Sequence, residues 1–120
     1  CSATGTLRRH PHIQWIKSQN SVLGVANIQR ALLEASVEMV RPGGTIIFAT
    51  CSLQPEEGPI LINDFLNSFT NVRRDPLDNG ARFGIPDIIT VDGDLRTFPY
   101  FLSDQGGMDG FFAARLKRKS

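Results

Sequence analysis

The amino-acid sequence predicts an α/β fold, read as the second half of a larger sheet. Three observations carry that expectation. Residues 23–41 repeat apolar side chains at helical spacing. Thr45–Thr50 is an unbroken apolar, β-branched run. A helix-start signal, Pro55-Glu56-Glu57, follows almost at once. Helix, buried strand and helix in succession are the order that builds a sheet covered by helices.

Each element has its own local reason. Residues 1–20 hold the breakers Gly5, Pro11, Ser18 and Asn20 and read as loop with one short helical piece. In the first long helix, Ile28, Leu32, Ala35 and Met39 step by four, three and four and form one apolar stripe. Pro42-Gly43-Gly44 ends that helix. The TIIFAT run then suits a strand buried on both faces of a parallel sheet. Pro55 fits a first helical turn, and the two acids favour its positive end. That helix should run to Ser68 with Ile60, Leu61, Phe65, Leu66 and Phe69 inward. Pro76, Gly80, Gly84, Pro86 and Gly93 make residues 70–96 a long connection with a short strand near 88–91. Residues 96–102 and 111–117 read as strands around a turn-rich loop at 103–110, a closing antiparallel hairpin.

The strand count is short for a doubly wound sheet, and no GxGxxG-like turn follows a strand. Gly43-Gly44 leads into a strand, not a helix, so it does not cradle a phosphate.

Composition narrows the classes. With 120 residues, 41% apolar and 21% charged, the chain suits one globular domain with one core. No apolar run is long enough to span a membrane, and Arg8, Arg9 and His10 interrupt any signal-like stretch. A cytoplasmic setting is the default. The net charge of +1 decides nothing about nucleic acid. The basic residues cluster as Arg8, Arg9 and Lys17, as Arg73 and Arg74, and as Arg115, Lys117, Arg118 and Lys119. Such clusters can meet phosphates, although a solvated surface is the more common use. The cysteines Cys1 and Cys51, with His10 and His12, lack the CxxC or HxxxH spacing of a zinc site.

Cys51 follows a buried strand and precedes a helix start, at the strand edge where α/β folds place their chemistry. A thiol facing a helix N-terminus is favoured as the thiolate. Position alone makes Cys51 a candidate nucleophile, against the bland alternative of a small buried thiol.

The ordered motifs say more. Cys1-Ser2-Ala3-Thr4-Gly5 is followed by Arg8-Arg9-His10-Pro11, then Pro42-Gly43-Gly44-Thr45. Ala49-Thr50-Cys51-Ser52 comes next with Pro55-Glu56-Glu57, and last Asp109-Gly110-Phe111-Phe112-Ala113. This set resembles the RNA 5-methylcytosine methyltransferases, in particular their bacterial Sun/Fmu branch. It covers nearly the whole chain except about residues 70–105, and its two Cys-Ser pairs are its specific part. The resemblance implies the C-terminal half of a Rossmann-like, class I methyltransferase domain that uses S-adenosylmethionine and acts on ribosomal RNA. It implies that residues 1–120 are one portion of that domain, with the N-terminal cofactor-binding half lying before Cys1. It implies that Cys51 attacks C6 of cytosine and that Cys1 assists breakdown of the adduct. Arg8, Arg9 and His10, close after the first motif, would meet RNA, while Asp109 and Gly110 shape the turn into the last strand.

The family's glycine-rich cofactor loop and ribose-holding acid have no counterpart in these residues, so no residue is assigned to cofactor binding and the chain alone is expected to be inactive. His12 stands where many relatives have Asp, and Gly58 where many have Asn. The strand at Thr45–Thr50 would be central in a complete sheet, and as an exposed edge it is expected to pair with a second copy or exchange strands. Two other classes compete: a thiol enzyme pairing Cys51 with His10 or His12, and a noncatalytic RNA-binding or interaction module.

Overall fold

The computed structural model describes residues 1–78 and 84–120. Gly80, one of the breakers read from the sequence, lies outside the described residues. The helices are α1 (Ile13–Ile16), α2 (Gln19–Met39) and α3 (Pro59–Ser68). The strands are β1 (Thr45–Thr50), β2 (Val72–Arg74), β3 (Leu95–Thr97) and β4 (Phe111–Arg118).

The last strand organises the sheet. β1 runs antiparallel along one side of β4, from Thr45 opposite Lys117 to Thr50 opposite Phe112. β2 and β3 share the other side, with Val72 opposite Arg118 and Leu95 opposite Ala113. β1 and β2 are therefore parallel to each other with β4 inserted between them. The closing hairpin forms as expected, but its first strand, at Leu95–Thr97, is shorter than read. The expected strand near 88–91 is a single bridge, Ile89 to Leu95. β2, three residues long, was not foreseen: Val72-Arg73-Arg74 carries too little apolar period to stand out.

Both long helices pack on one face of this sheet. Ile46, Val72, Phe112, Ala114 and Leu116 meet Leu33 and Val37 of α2 and Leu61, Ile62 and Phe65 of α3. β1 thus alternates between core and exterior and is not buried on both faces among the described residues; Ile47 is 62% exposed. The apolar stripe of α2 is also corrected. Ile28, Leu32 and Met39 are 62%, 64% and 79% exposed, and Ala35 is exposed as well. The inward stripe is Val22, Ala26, Leu33, Val37 and Val40. Its middle is polar, because Gln29 reaches a buried acid and Arg30 pairs with Glu34 and Ser68. Hydrophobic period alone therefore favours the wrong side.

In α3, Ile62 is fully buried while Ile60 is 48% exposed. Pro55–Glu57 forms a separate 3₁₀ turn before the helix proper starts at Pro59, which shifts the phase of the stripe. Several basic residues serve the fold. Arg118 donates to the carbonyls of Val37 and Val40 (2.8 and 2.7 Å), closing the C-terminus of α2. Arg74 pairs with the buried Asp94. Arg115 pairs with Asp75 at 2.9 Å.

Candidate active site

Three backbone segments converge at the end of β1. Gly5 N–H donates to the Cys51 carbonyl (2.8 Å), and Gly110 N–H donates to the Gly5 carbonyl (2.7 Å). The two expected motif loops and the Asp109-Gly110 turn are thus laced together by main chain. Gly5 is required by close approach: a Cβ there would lie 2.2 Å from the Gly110 oxygen and 2.4 Å from the Cys51 oxygen. Thr4 adds a side-chain tie, its hydroxyl accepting from Leu53 N–H at 2.9 Å.

The lacing brings the two cysteines together. Cys1 Sγ and Cys51 Sγ are 3.0 Å apart, within hydrogen-bond reach, although the residues are 50 apart in sequence. Cys1 is exposed and Cys51 half-buried. His10 and His12 are exposed and pack edge to face at 5.9 Å, while the hydrogen-bond partner of the Cys51 thiol is Cys1.

Beneath the thiols lies a buried polar cluster. Ser2 and Ser52, the residues after each cysteine, are 1% and 0% exposed and lie 3.1 Å apart, Oγ to Oγ. Both hydroxyls donate to Oε2 of Glu57, which is itself fully buried. Oε1 accepts from Ser2 N–H (2.8 Å) and from Gln29 Nε2 (3.3 Å). Burial pushes the Glu57 carboxyl up, but the hydrogen bonds from Ser2, Ser52 and Gln29 outweigh it and hold it below its ordinary value. Arg96 closes the cluster from β3. Its guanidinium donates to the Ser52 carbonyl (2.9 Å) and lies over the Phe112 ring, 4.9 Å from the centroid. Burial pushes that guanidinium below its ordinary value. Gly58 sits against the same two groups, since a Cβ would be 3.1 Å from Phe112 and 3.3 Å from Arg96. An Asn there would crowd both.

Arg8 and Arg9 share one acceptor on the exposed rim, the carboxylate of Asp109. Arg8 Nε donates to Oδ1 at 3.0 Å, and Arg9 binds both oxygens. The hydrogen bond from Arg9 holds the Asp109 carboxyl below its usual range. That same hydrogen bond, with the charge of Asp109, holds the Arg9 guanidinium above its ordinary value. His10 is exposed beside them. Asp109 therefore does more than shape a turn: it orients two guanidinium groups, while its carbonyl accepts from the Thr97 hydroxyl.

The sequence reading singled out Cys1, Cys51, Arg8, Arg9 and His10 as candidates, and the fold brings the two thiols together and sets the arginines on the exposed rim. It took Glu57 only for a helix-start acid, and it missed Gln29, Thr4 and Arg96. The available signal was the serine repeated after each cysteine. A cavity of about 450 Å³ opens beside the site, lined by Thr4, Leu7, Ile13, Lys17, Gln54 and Glu56 among others. Among the described residues no glycine-rich turn leads from a strand into a helix.

The family described as 16S rRNA methyltransferase RsmB/F matches residues 1–117. The ribosomal RNA small subunit methyltransferase B of Pasteurella multocida (strain Pm70) is 33% identical over 118 residues, covering 98% of this chain and 24% of the relative. The crystal structure of PH0851 superposes with a TM-score of 0.81 at 29% identity, covering 98% of this chain and 25% of that one. A methyltransferase homologue from Pyrococcus horikoshii gives 0.65 at 25% identity, over 85% of this chain and 33% of its own. The chain spans about a quarter of the length of the curated relatives it matches.

Proposed function

The chain belongs to the RsmB/F family of 16S rRNA methyltransferases, and from that membership and the paired thiols we propose that it carries the thiol chemistry of a cytosine-C5 methylation of ribosomal RNA. The observation that carries this reading is the 3.0 Å approach of Cys1 and Cys51 at the carboxyl end of β1. A single nucleophile needs no second thiol beside it. A thiol that must add to an aromatic ring and later leave gains from one.

Cys51 is the nucleophile. Its thiolate forms a bond to C6 of the flipped-out base, and the C5–C6 electron pair moves to C5. S-adenosylmethionine, when bound, supplies the methyl group that C5 takes. Its contacts belong to parts of the protein outside these residues, which is why no cofactor-binding residue is assigned. Loss of the C5 proton then restores the double bond and expels the Cys51 thiolate, and Cys1 assists this release from the adjoining position. Arg8, Arg9 and His10 form the rim that meets the RNA backbone, with Asp109 holding the two guanidiniums ready. Ribosomal RNA as substrate places the reaction in the cytoplasm. Among the described residues no helix is long and apolar enough to cross a membrane. The 120 residues alone are inactive in this reading, and their open β1 edge makes them self-associate.

Covalent trapping tests it. The full-length protein carrying this chain is mixed with S-adenosylmethionine and RNA containing 5-fluorocytosine, whose fluorine blocks the final proton loss. Wild type and Cys1→Ala give a stable protein–RNA adduct and Cys51→Ala gives none. Trapping by Cys51→Ala but not Cys1→Ala exchanges the two roles. Absence of any adduct with ribosomal RNA removes the enzyme reading and leaves an RNA-binding module.

A further inference from the structure

The buried carboxylate under the two cysteines has a use the thiol chemistry does not itself name. Ser2 and Ser52 are the immediate neighbours of Cys1 and Cys51, and their hydroxyls converge on one oxygen of Glu57. The other oxygen takes the main-chain N–H of Ser2 at 2.8 Å. One carboxylate therefore fixes the backbone of the first loop and the side chains of both loops. Its own place is set by Gln29 from α2 and by complete burial. Nothing else among the described contacts ties both Cys-Ser pairs to a single group.

We infer that Glu57 is a positioning residue that sets the distance between the two thiols through the paired serines, and so couples attack by Cys51 to release by Cys1. Glu57 does not touch the substrate, since it is fully buried and its carboxylate is taken up by Ser2, Ser52 and Gln29. The geometry explains why a carboxylate is needed there. Four donors face it: two hydroxyls, one amide N–H and the Gln29 side chain. An ionised carboxylate is acceptor-only and accommodates all four. A glutamine offers one acceptor oxygen and adds two donors, so one side of the cluster must turn. The distance between the thiols then changes while the fold remains. An ångström-scale misplacement of reacting groups costs on the order of a hundredfold in rate.

This inference rests on the reading above, and the experiment separates the two. The full-length protein carrying Glu57→Gln, Ser2→Ala or Ser52→Ala is given ordinary cytosine RNA and S-adenosylmethionine. The turnover number and the fraction of protein covalently held on methylated RNA are measured together. The expected result is a kcat reduced by about a hundredfold in Glu57→Gln, with KM for RNA within a few-fold of wild type. Covalent product complex should accumulate that wild type does not show, because release suffers more than attack. The serine variants, which cut one tether each and change little volume, should show smaller losses of the same kind. A merely structural role would lower the amount of active protein without changing the adduct fraction per active site. Wild-type release and kcat in Glu57→Gln overturn the inference, as does a loss of active protein with no accumulated adduct in all three variants. A wild type that forms no adduct with 5-fluorocytosine RNA overturns the parent reading and this one with it.

Discussion

Gly5 shows how little room the site leaves. Its amide and carbonyl link Cys51 to Gly110, and the atoms that a Cβ would strike are backbone oxygens fixed on both sides. Gly5→Ala must therefore push two loops apart, at a cost on the order of 3 kcal/mol. At Gly110 the nearest obstacle is the end of the Leu53 side chain, which can rotate, so Gly110→Ala should cost less. Urea midpoints of the two variants check the order, and equal losses would contradict the lacing described. At this scale the sequence points to candidate residues and not to the groups that support them. Cys1, Cys51 and the arginine rim stand out because their types and motif order are uncommon. Glu57, Gln29 and Arg96 do not, because, apart from the Ser52 hydroxyl on Glu57, their contacts come from residues 28 to 55 positions away in the chain. No local pattern encodes such a contact.

The elements divide in the same way. β1 was legible to the residue, since a continuous β-branched run between glycines and a Cys-Ser pair allows few other readings. α2 was legible in extent but not in rotation. Its outward face is nearly as apolar as its inward one, and the polar Gln29 and Arg30 sit on the side that packs. The outward face has a consequence for the isolated chain. Leu32 and Ile47 line one groove with Leu33, Ile46, Phe48 and Ala49, and β1 stands at the end of the sheet order. An edge strand with apolar neighbours and no charge is a template for another chain. The 120-residue chain is expected to self-associate with rising concentration in light scattering. Ile47→Lys, at an exposed position, should reduce that association with little change in the unfolding midpoint. A wild-type chain that stays monomeric at high concentration would show that this edge is protected in some other way.

Over the whole molecule, the α/β class and the closing antiparallel hairpin followed from the order of periods. The insertion of β4 between β1 and β2 did not, because strand order is settled by which faces α2 and α3 can cover together. The assembled core then sets two buried acids against each other as pH falls. Glu57 has a folded-state pKa below its ordinary value of 4.5, so the unfolded chain takes up the proton first. Its stabilising contribution is full above 4.5 and is lost as pH falls from there through the folded-state value. Asp94 behaves in the opposite sense. Burial pushes its pKa above 3.8 even though Arg74 opposes the rise. The folded state therefore binds that proton more tightly, and Asp94 favours folding more as pH falls towards 3.8. Below 3.8 the Asp94 gain is complete and no longer opposes the losses from the carboxylates held below their ordinary values, Glu57 and Asp109. Glu57→Gln should flatten the decline of the urea midpoint below pH 4.5, whereas Asp94→Asn should remove the opposing slope above 3.8. Midpoints measured across this range in the two variants test the assignment: an unchanged acid slope in Glu57→Gln would mean that the serines and Gln29 do not hold the carboxylate ionised in the folded protein.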